Sequence, residues 1–78
     1  METKQICSKV REIIKNQINV ELKDNDLLLD NGVDSVSLIN IIVEIENCFD
    51  IEFEPEDLNY KILKSITDIA NCVNRLQY

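Results

Sequence analysis

One glycine, Gly32, and one proline, Pro55, in 78 residues leave this chain few places to turn sharply. A small β-barrel needs many more turn residues and more aromatics than this. What fills the gaps is apolar residues at helical spacing. Ile6, Val10, Ile13 and Ile14 recur at i, i+4, i+7, i+8 and predict a buried helix face over residues 3–18. Leu38, Ile41, Ile42, Ile45 and Phe49 do the same for a second helix that begins at Asp34 or Ser35, with Asp34 as its N-cap. Pro55 suits the first position of a short third helix, residues 55–59. Ser65 and Asp68 read as the capping box of a last helix, residues 65–76, with Ile66, Ile69, Ala70, Val73 and Leu76 inside. The expected fold is all-α: a four-helix bundle of three longer helices and one short third helix, in a single domain spanning residues 1–78.

Between the first two helices runs a long loop, residues 20–34, rich in Asp and Asn. Loops of that length are usually functional or disordered, so at least one of Leu27, Leu28 and Leu29 is expected to plug the core and keep it ordered. Residues 50–54 alternate acidic and apolar. With no second strand to pair with, they read as an extended linker anchored by Ile51 and Phe53.

Charge is distributed unevenly. Eleven acids fall between Asp24 and Tyr60, and that stretch holds no Lys or Arg. Such a block repels nucleic acid and anionic membrane and steers basic protein surfaces. Neither nucleic acid nor membrane is an expected partner. No apolar run is long enough to span a bilayer, and the N-terminus lacks a secretory pattern, so a cytoplasmic monomer is expected. Cys7, Cys48 and Cys72 are isolated and odd in number, which points to reduced thiols acting as small hydrophobes near helix seams. With no histidine, zinc coordination is left incomplete.

Catalysis finds no machinery either. Ser35 has no base at a recognisable spacing, and a lone serine is a poor nucleophile at neutral pH. An EF-hand alignment on Gly32 puts Leu27 at the first ligand position and fails. What remains is the stretch Asn-Gly-Val-Asp-Ser-Val-Ser-Leu, residues 31–38, which sets a serine hydroxyl at the opening of a helix. Val36, Ile39 and Val43 lie off the core stripe beside it, an apolar patch that invites a protein partner.

The Gly-hydrophobic-Asp-Ser lead-in resembles the attachment site of acyl and peptidyl carrier proteins, and the resemblance extends to the helix pattern of nearly the whole chain. It implies a bundle of the acyl-carrier type. It also implies 4'-phosphopantetheine joined to Ser35 by a phosphopantetheinyl transferase that uses coenzyme A, with Asp34 as N-cap and part of the transferase's recognition. The arm's thiol would hold acyl or aminoacyl cargo received from a loading enzyme and passed to condensing or tailoring enzymes, so the chain is no enzyme itself. Glu44 and Glu46 join Val36, Ile39 and Val43 as expected partner contacts. Where housekeeping fatty-acid carriers are acidic after the serine, this chain has Ser37, Asn40 and Asn47. A stand-alone carrier of a specialised polyketide or nonribosomal peptide pathway is therefore expected. The alternatives are a fatty-acid or D-alanyl carrier, an unmodified helical interaction module, and, least favoured, a hydrolase using Ser35.

Overall fold

The computed structural model describes residues 2–59 and 61–77. Three α-helices carry the fold: α1 (Thr3–Ile18), α2 (Ser35–Phe49) and α3 (Ile66–Gln77). Among the described residues there is no strand. α1 packs against both other helices, and its buried face is the expected set with Cys7 added. The core gathers Leu38, Ile41, Ile42 and Ile45 of α2 and Ile66, Ile69, Ala70, Cys72 and Val73 of α3 around it.

Helix ends follow the local chemistry. The Glu2 N–H donates to Gln5 Oε1 (3.1 Å) at the start of α1. Asn19 then ends the helix in the left-handed region at φ 56°, its N–H donating to the Lys15 carbonyl. Asp50 ends α2 the same way at φ 54°. The serine half of the box predicted for α3 is present: the Asp68 N–H donates to Ser65 Oγ (3.3 Å), and that hydroxyl in turn donates to Asp68 Oδ2 (3.2 Å).

The long loop is held rather than free. Leu28 is wholly buried while Leu27 and Leu29 stay exposed, so one leucine of the three plugs the core. Its N–H donates to the Lys64 carbonyl (2.9 Å), and the Thr67 N–H donates to the Asp24 carbonyl (3.0 Å). These bonds tie the loop to the start of α3 and satisfy backbone groups that burial would otherwise strand. Arg11 pairs with Asp24 and anchors the loop to α1 as well. A short 3₁₀ turn, Leu29–Asn31, then leads toward α2.

The short third helix is a single 3₁₀ turn, Pro55–Asp57, and does not reach residue 59. Two side chains stop it. The Asp57 carboxylate turns inward to accept from Arg75 on α3 (2.7 Å). Asn59 Oδ1 accepts from the Lys61 N–H (2.8 Å), an Asx-type bond that competes with helix continuation. Ahead of the turn, Phe53 is buried as expected, and its N–H donates to Glu46 Oε2 (2.8 Å). Ile51 is half-buried.

The three leucines make a sharp test of this packing. Leu28→Ala is expected to cost about 2–5 kcal/mol, the range for truncating a buried leucine. Leu27→Ala and Leu29→Ala are expected to stay within about 0.5 kcal/mol of the parent. Urea unfolding of the three variants distinguishes them; equal losses would show that the loop is not pinned through Leu28.

Candidate functional site

Ser35 is the first residue of α2, and the four residues before it explain its display. Gly32 has φ 90°, a conformation that L side chains rarely adopt, although a Cβ there would meet nothing within 4 Å. The backbone angle alone therefore selects glycine. Val33 follows and is wholly buried, which fixes the approach of the chain. Asp34 is extended (φ −82°, ψ −179°) and caps the helix: its Oδ1 accepts from the Ser37 N–H (2.8 Å). That N–H, helped by the Ser37 hydroxyl and the Val36 N–H against a small opposing effect of burial, holds the Asp34 carboxyl below its ordinary value.

With the capping done by its neighbour, Ser35 is exposed and its hydroxyl has no partner among the described residues. Asp34 is committed to the helix end and the chain has no histidine, so nothing here activates the hydroxyl as a nucleophile. The hydroxyl is instead open to an outside enzyme. A phosphodiester formed on it would sit at the positive end of the α2 dipole, an environment that favours an anion. The site thus fits a covalently attached phosphopantetheine.

α2 presents an apolar face beside the serine. At 100° per residue, Val36, Ile39 and Val43 fall within one narrow arc, and they are 70%, 57% and 48% exposed. Glu44 and Glu46 border that arc on opposite sides. Glu44 is exposed, whereas Glu46 is half-buried because one carboxylate oxygen holds the Phe53 N–H. The structure therefore brings Ser35, Val36 and Ile39 together at the helix start and sets Val43, Glu44 and Glu46 farther along it. Sequence reasoning missed further exposed apolar side chains off α2, namely Leu27, Leu29, Leu58 and Ile62.

The cysteines divide. Cys7 and Cys72 are buried at the helix seams as expected; Cys48 is exposed, a correction to its reading as a small hydrophobe. By helical phase Cys48 falls close to the buried Ile41, about 20° away, but near the end of α2 it lines an open groove with Gln5, Ser8, Lys9, Glu12 and Phe49. Burial pushes both the Cys7 and Cys72 thiols up, and neighbouring acids add to this against the opposing pull of Arg11 and Arg75 respectively. Neither is poised as a thiolate.

Residues 6–73 match the family described as "Phosphopantetheine attachment site". A protein named acyl carrier protein from Akkermansia muciniphila is 31% identical over 81 residues, covering 99% of each chain. One of the same name from Coprothermobacter proteolyticus is 31% identical over 74 residues, 88% of this chain and 90% of its own. An acyl carrier protein homolog from Mycoplasma genitalium is 34% identical over 80 residues, 97% of this chain and 93% of its own. A match that runs through all three helices and both sides of the exposed serine places this chain in the phosphopantetheine-binding family of acyl carrier proteins.

Proposed function

We propose that Ser35 is where this carrier holds its 4'-phosphopantetheine, and that residues 1–78 form one acyl-carrier domain that serves a specialised polyketide or nonribosomal peptide pathway. The observation that carries the attachment assignment is the exposed, unpartnered hydroxyl at the first residue of α2, with its cap supplied by Asp34. When bound, the group supplies the terminal thiol on which cargo rides as a thioester. The chain's own residues do the presenting. Val33 and Asp34 fix the helix end, and the α2 dipole steadies the phosphodiester.

Partner choice falls to the exposed arc. We assign Val36, Ile39 and Val43, flanked by Glu44 and Glu46, to docking of the phosphopantetheinyl transferase, the loading enzyme and the condensing or tailoring enzymes. The neutral Ser37, Asn40 and Asn47 on this helix make those contacts more shape-driven than electrostatic, which supports the specialised pathway over a housekeeping role. Glu46 has a second duty, since it also holds the linker through Phe53.

Incubation with coenzyme A, magnesium and a promiscuous phosphopantetheinyl transferase, read by intact mass under reducing conditions, tests the attachment. One phosphopantetheine is expected on the parent and none on Ser35→Ala, whose unfolding midpoint is expected to stay within about 0.5 kcal/mol of the parent. No gain on folded parent protein would make the chain an unmodified interaction module.

Charge reversal separates the two glutamates. Glu44→Lys is expected to slow partner association more at low salt than at high salt with folding unchanged. Glu46→Lys is expected to lose about 1–3 kcal/mol of stability as well, because the buried Phe53 N–H loses its acceptor. Stopped-flow association and urea unfolding give the two readouts, and matching behaviour of both variants would remove the linker role of Glu46.

The cap has a pH signature. Because the folded state lowers the Asp34 pKa, its stabilisation of the helix end is fully present above the ordinary carboxylate range and lost as pH falls through the lowered value. Hydrogen exchange of the Ser37 amide is expected to speed up over that window in the parent. Asp34→Asn, which caps without titrating, is expected to show no such step, and an identical profile in both would discard the carboxylate cap.

A further inference from the structure

An enzyme that acts at Ser35 covers more of this molecule than α2. An interface of standard size takes about 800 Å² of each partner, roughly 28 Å across, and the principal axes of the chain are only 30 × 24 × 20 Å. The surroundings of the serine therefore fall within the same footprint. They include a groove of about 300 Å³ lined by Leu27, Leu29, Asp30, Lys61 and Lys64. A run of hydrogen bonds sets its distance from the serine. The Lys64 carbonyl accepts from the Leu28 N–H (2.9 Å), and the Leu28 carbonyl accepts from the Val33 N–H (3.1 Å). Val33 in turn lies at most about 7 Å along the chain before Ser35.

The groove differs in sign from the arc on α2. Between Lys23 and Arg75 the only cations are Lys61 and Lys64. Both are exposed, and among the described residues neither takes part in an ion pair, although the chain carries 15 acids. Leu27 and Leu29 beside them are 49% and 59% exposed. The backbone under these walls is already fixed by Leu28 in the core and by the bond from the Thr67 N–H to the Asp24 carbonyl, so docking has little left to order.

An occupant must combine an apolar group for the leucines with a carboxylate for the lysines. Two lysines against Asp30 leave a single net positive charge, too little for the several phosphate contacts on which nucleic-acid binding depends. The acidic surface around the groove repels an anionic membrane. A protein segment meets both needs at side-chain spacing, with an apolar residue flanked by Asp or Glu.

We infer that this groove seats an acid-flanked apolar segment of the enzyme that acts at Ser35, an inference that rests on docking at the α2 arc. The footprint of that enzyme then carries two signs: basic residues toward Glu44 and Glu46, acidic ones toward Lys61 and Lys64. Contacts of opposite sign fix the direction in which the enzyme lies across the serine, which the arc alone leaves open to rotation. They also select among partners. A uniformly basic surface can meet Glu44 only by bringing like charge against the lysines. Lys61 and Lys64 are thus specificity residues and take no part in the attachment chemistry.

Two capped peptides that share a Leu-Leu-Phe anchor, one flanked by Glu and the other by Lys, test this by amide NMR on the apo protein. The Glu peptide is expected to shift residues 27–30 and 61–64, and the Lys peptide residues 36–44. Lys61→Glu/Lys64→Glu is expected to weaken the Glu peptide about tenfold, as two exposed attractions become repulsions, and to leave the Lys peptide unchanged. Because Lys64 holds Leu28 through its backbone, the variant is expected to keep the parent's urea midpoint. Absence of α2 shifts with the Lys peptide would overturn the α2 docking surface and the two-signed footprint together. Shifts on α2 with the Lys peptide, but none in the groove with the Glu peptide, would overturn the groove assignment alone. So would equal binding of the Glu peptide to parent and variant. Groove shifts of the same strength with octanoate would make it a site for small anionic amphiphiles and overturn the assignment too.

Discussion

The bond from the Leu28 N–H to the Lys64 carbonyl, with the Leu28 side chain sealed into the core beneath it, is the constraint on which the functional face depends. A loop of this length carries many backbone polar groups and little regular structure, and left to itself it would fluctuate. Pinning it at one residue to the start of α3, and again at Asp24 to Thr67, converts it into a wall. The exit from that wall is then set by Gly32 and the buried Val33, so the start of α2 emerges in one place. Without the pin, Ser35 would still head a helix, but at an end with no fixed surroundings.

Charge and packing divide the labour across the surface. The eleven acids of the central stretch are nearly all solvated, and such a field is worth more as steering than as stability. Asp57 is the exception, a buried acid held by Arg75, and with the Asx-type bond of Asn59 it accompanies the end of the turn. Glu46 shows the same logic at smaller scale: part of its charge is spent on the Phe53 amide, which leaves Glu44 as the freer acid on α2. The exposed arc is thus defined by apolar residues with acids at its margins.

The helices were legible in the sequence because burial imposes a period, and the period survives in Ile6, Val10, Ile13 and Ile14 whatever else the chain does. The caps were legible for the same local reason, since Asp34 and Ser65 act within three residues of themselves. The turn at Pro55 was placed correctly and given too much length. It ends where Asn59 accepts from the Lys61 N–H and Arg75, on another helix, draws the Asp57 carboxylate inward, and the second contact has no signature in a local window. Cys48 was misplaced because neither its hydrophobicity nor its helical phase, close to that of Ile41, shows that the groove beside the end of α2 is left open. A groove lined by Leu27, Leu29, Asp30, Lys61 and Lys64 was hidden for a topological reason. Its walls lie more than thirty residues apart in sequence, and only the loop-to-α3 hydrogen bonds bring them together.

Ser35 and Ser37 show how fine the distinction between a site and its scaffold can be. Both are hydroxyls in the first turn of α2, two residues apart. Ser37 gives its backbone N–H to the Asp34 carboxylate, and its hydroxyl helps hold that carboxyl below its ordinary value, so Ser37 belongs to the cap. Among the described residues Ser35 donates nothing to the cap, so the attachment proposed there would leave the helix end in place. The difference follows from capping geometry, which recruits the amides two and three positions after the N-cap and leaves the first position free. Attachment at a helix start calls for a terminus held by one residue and available at the next, and on the proposed assignment Asp34 followed by Ser35 is a minimal way to supply both.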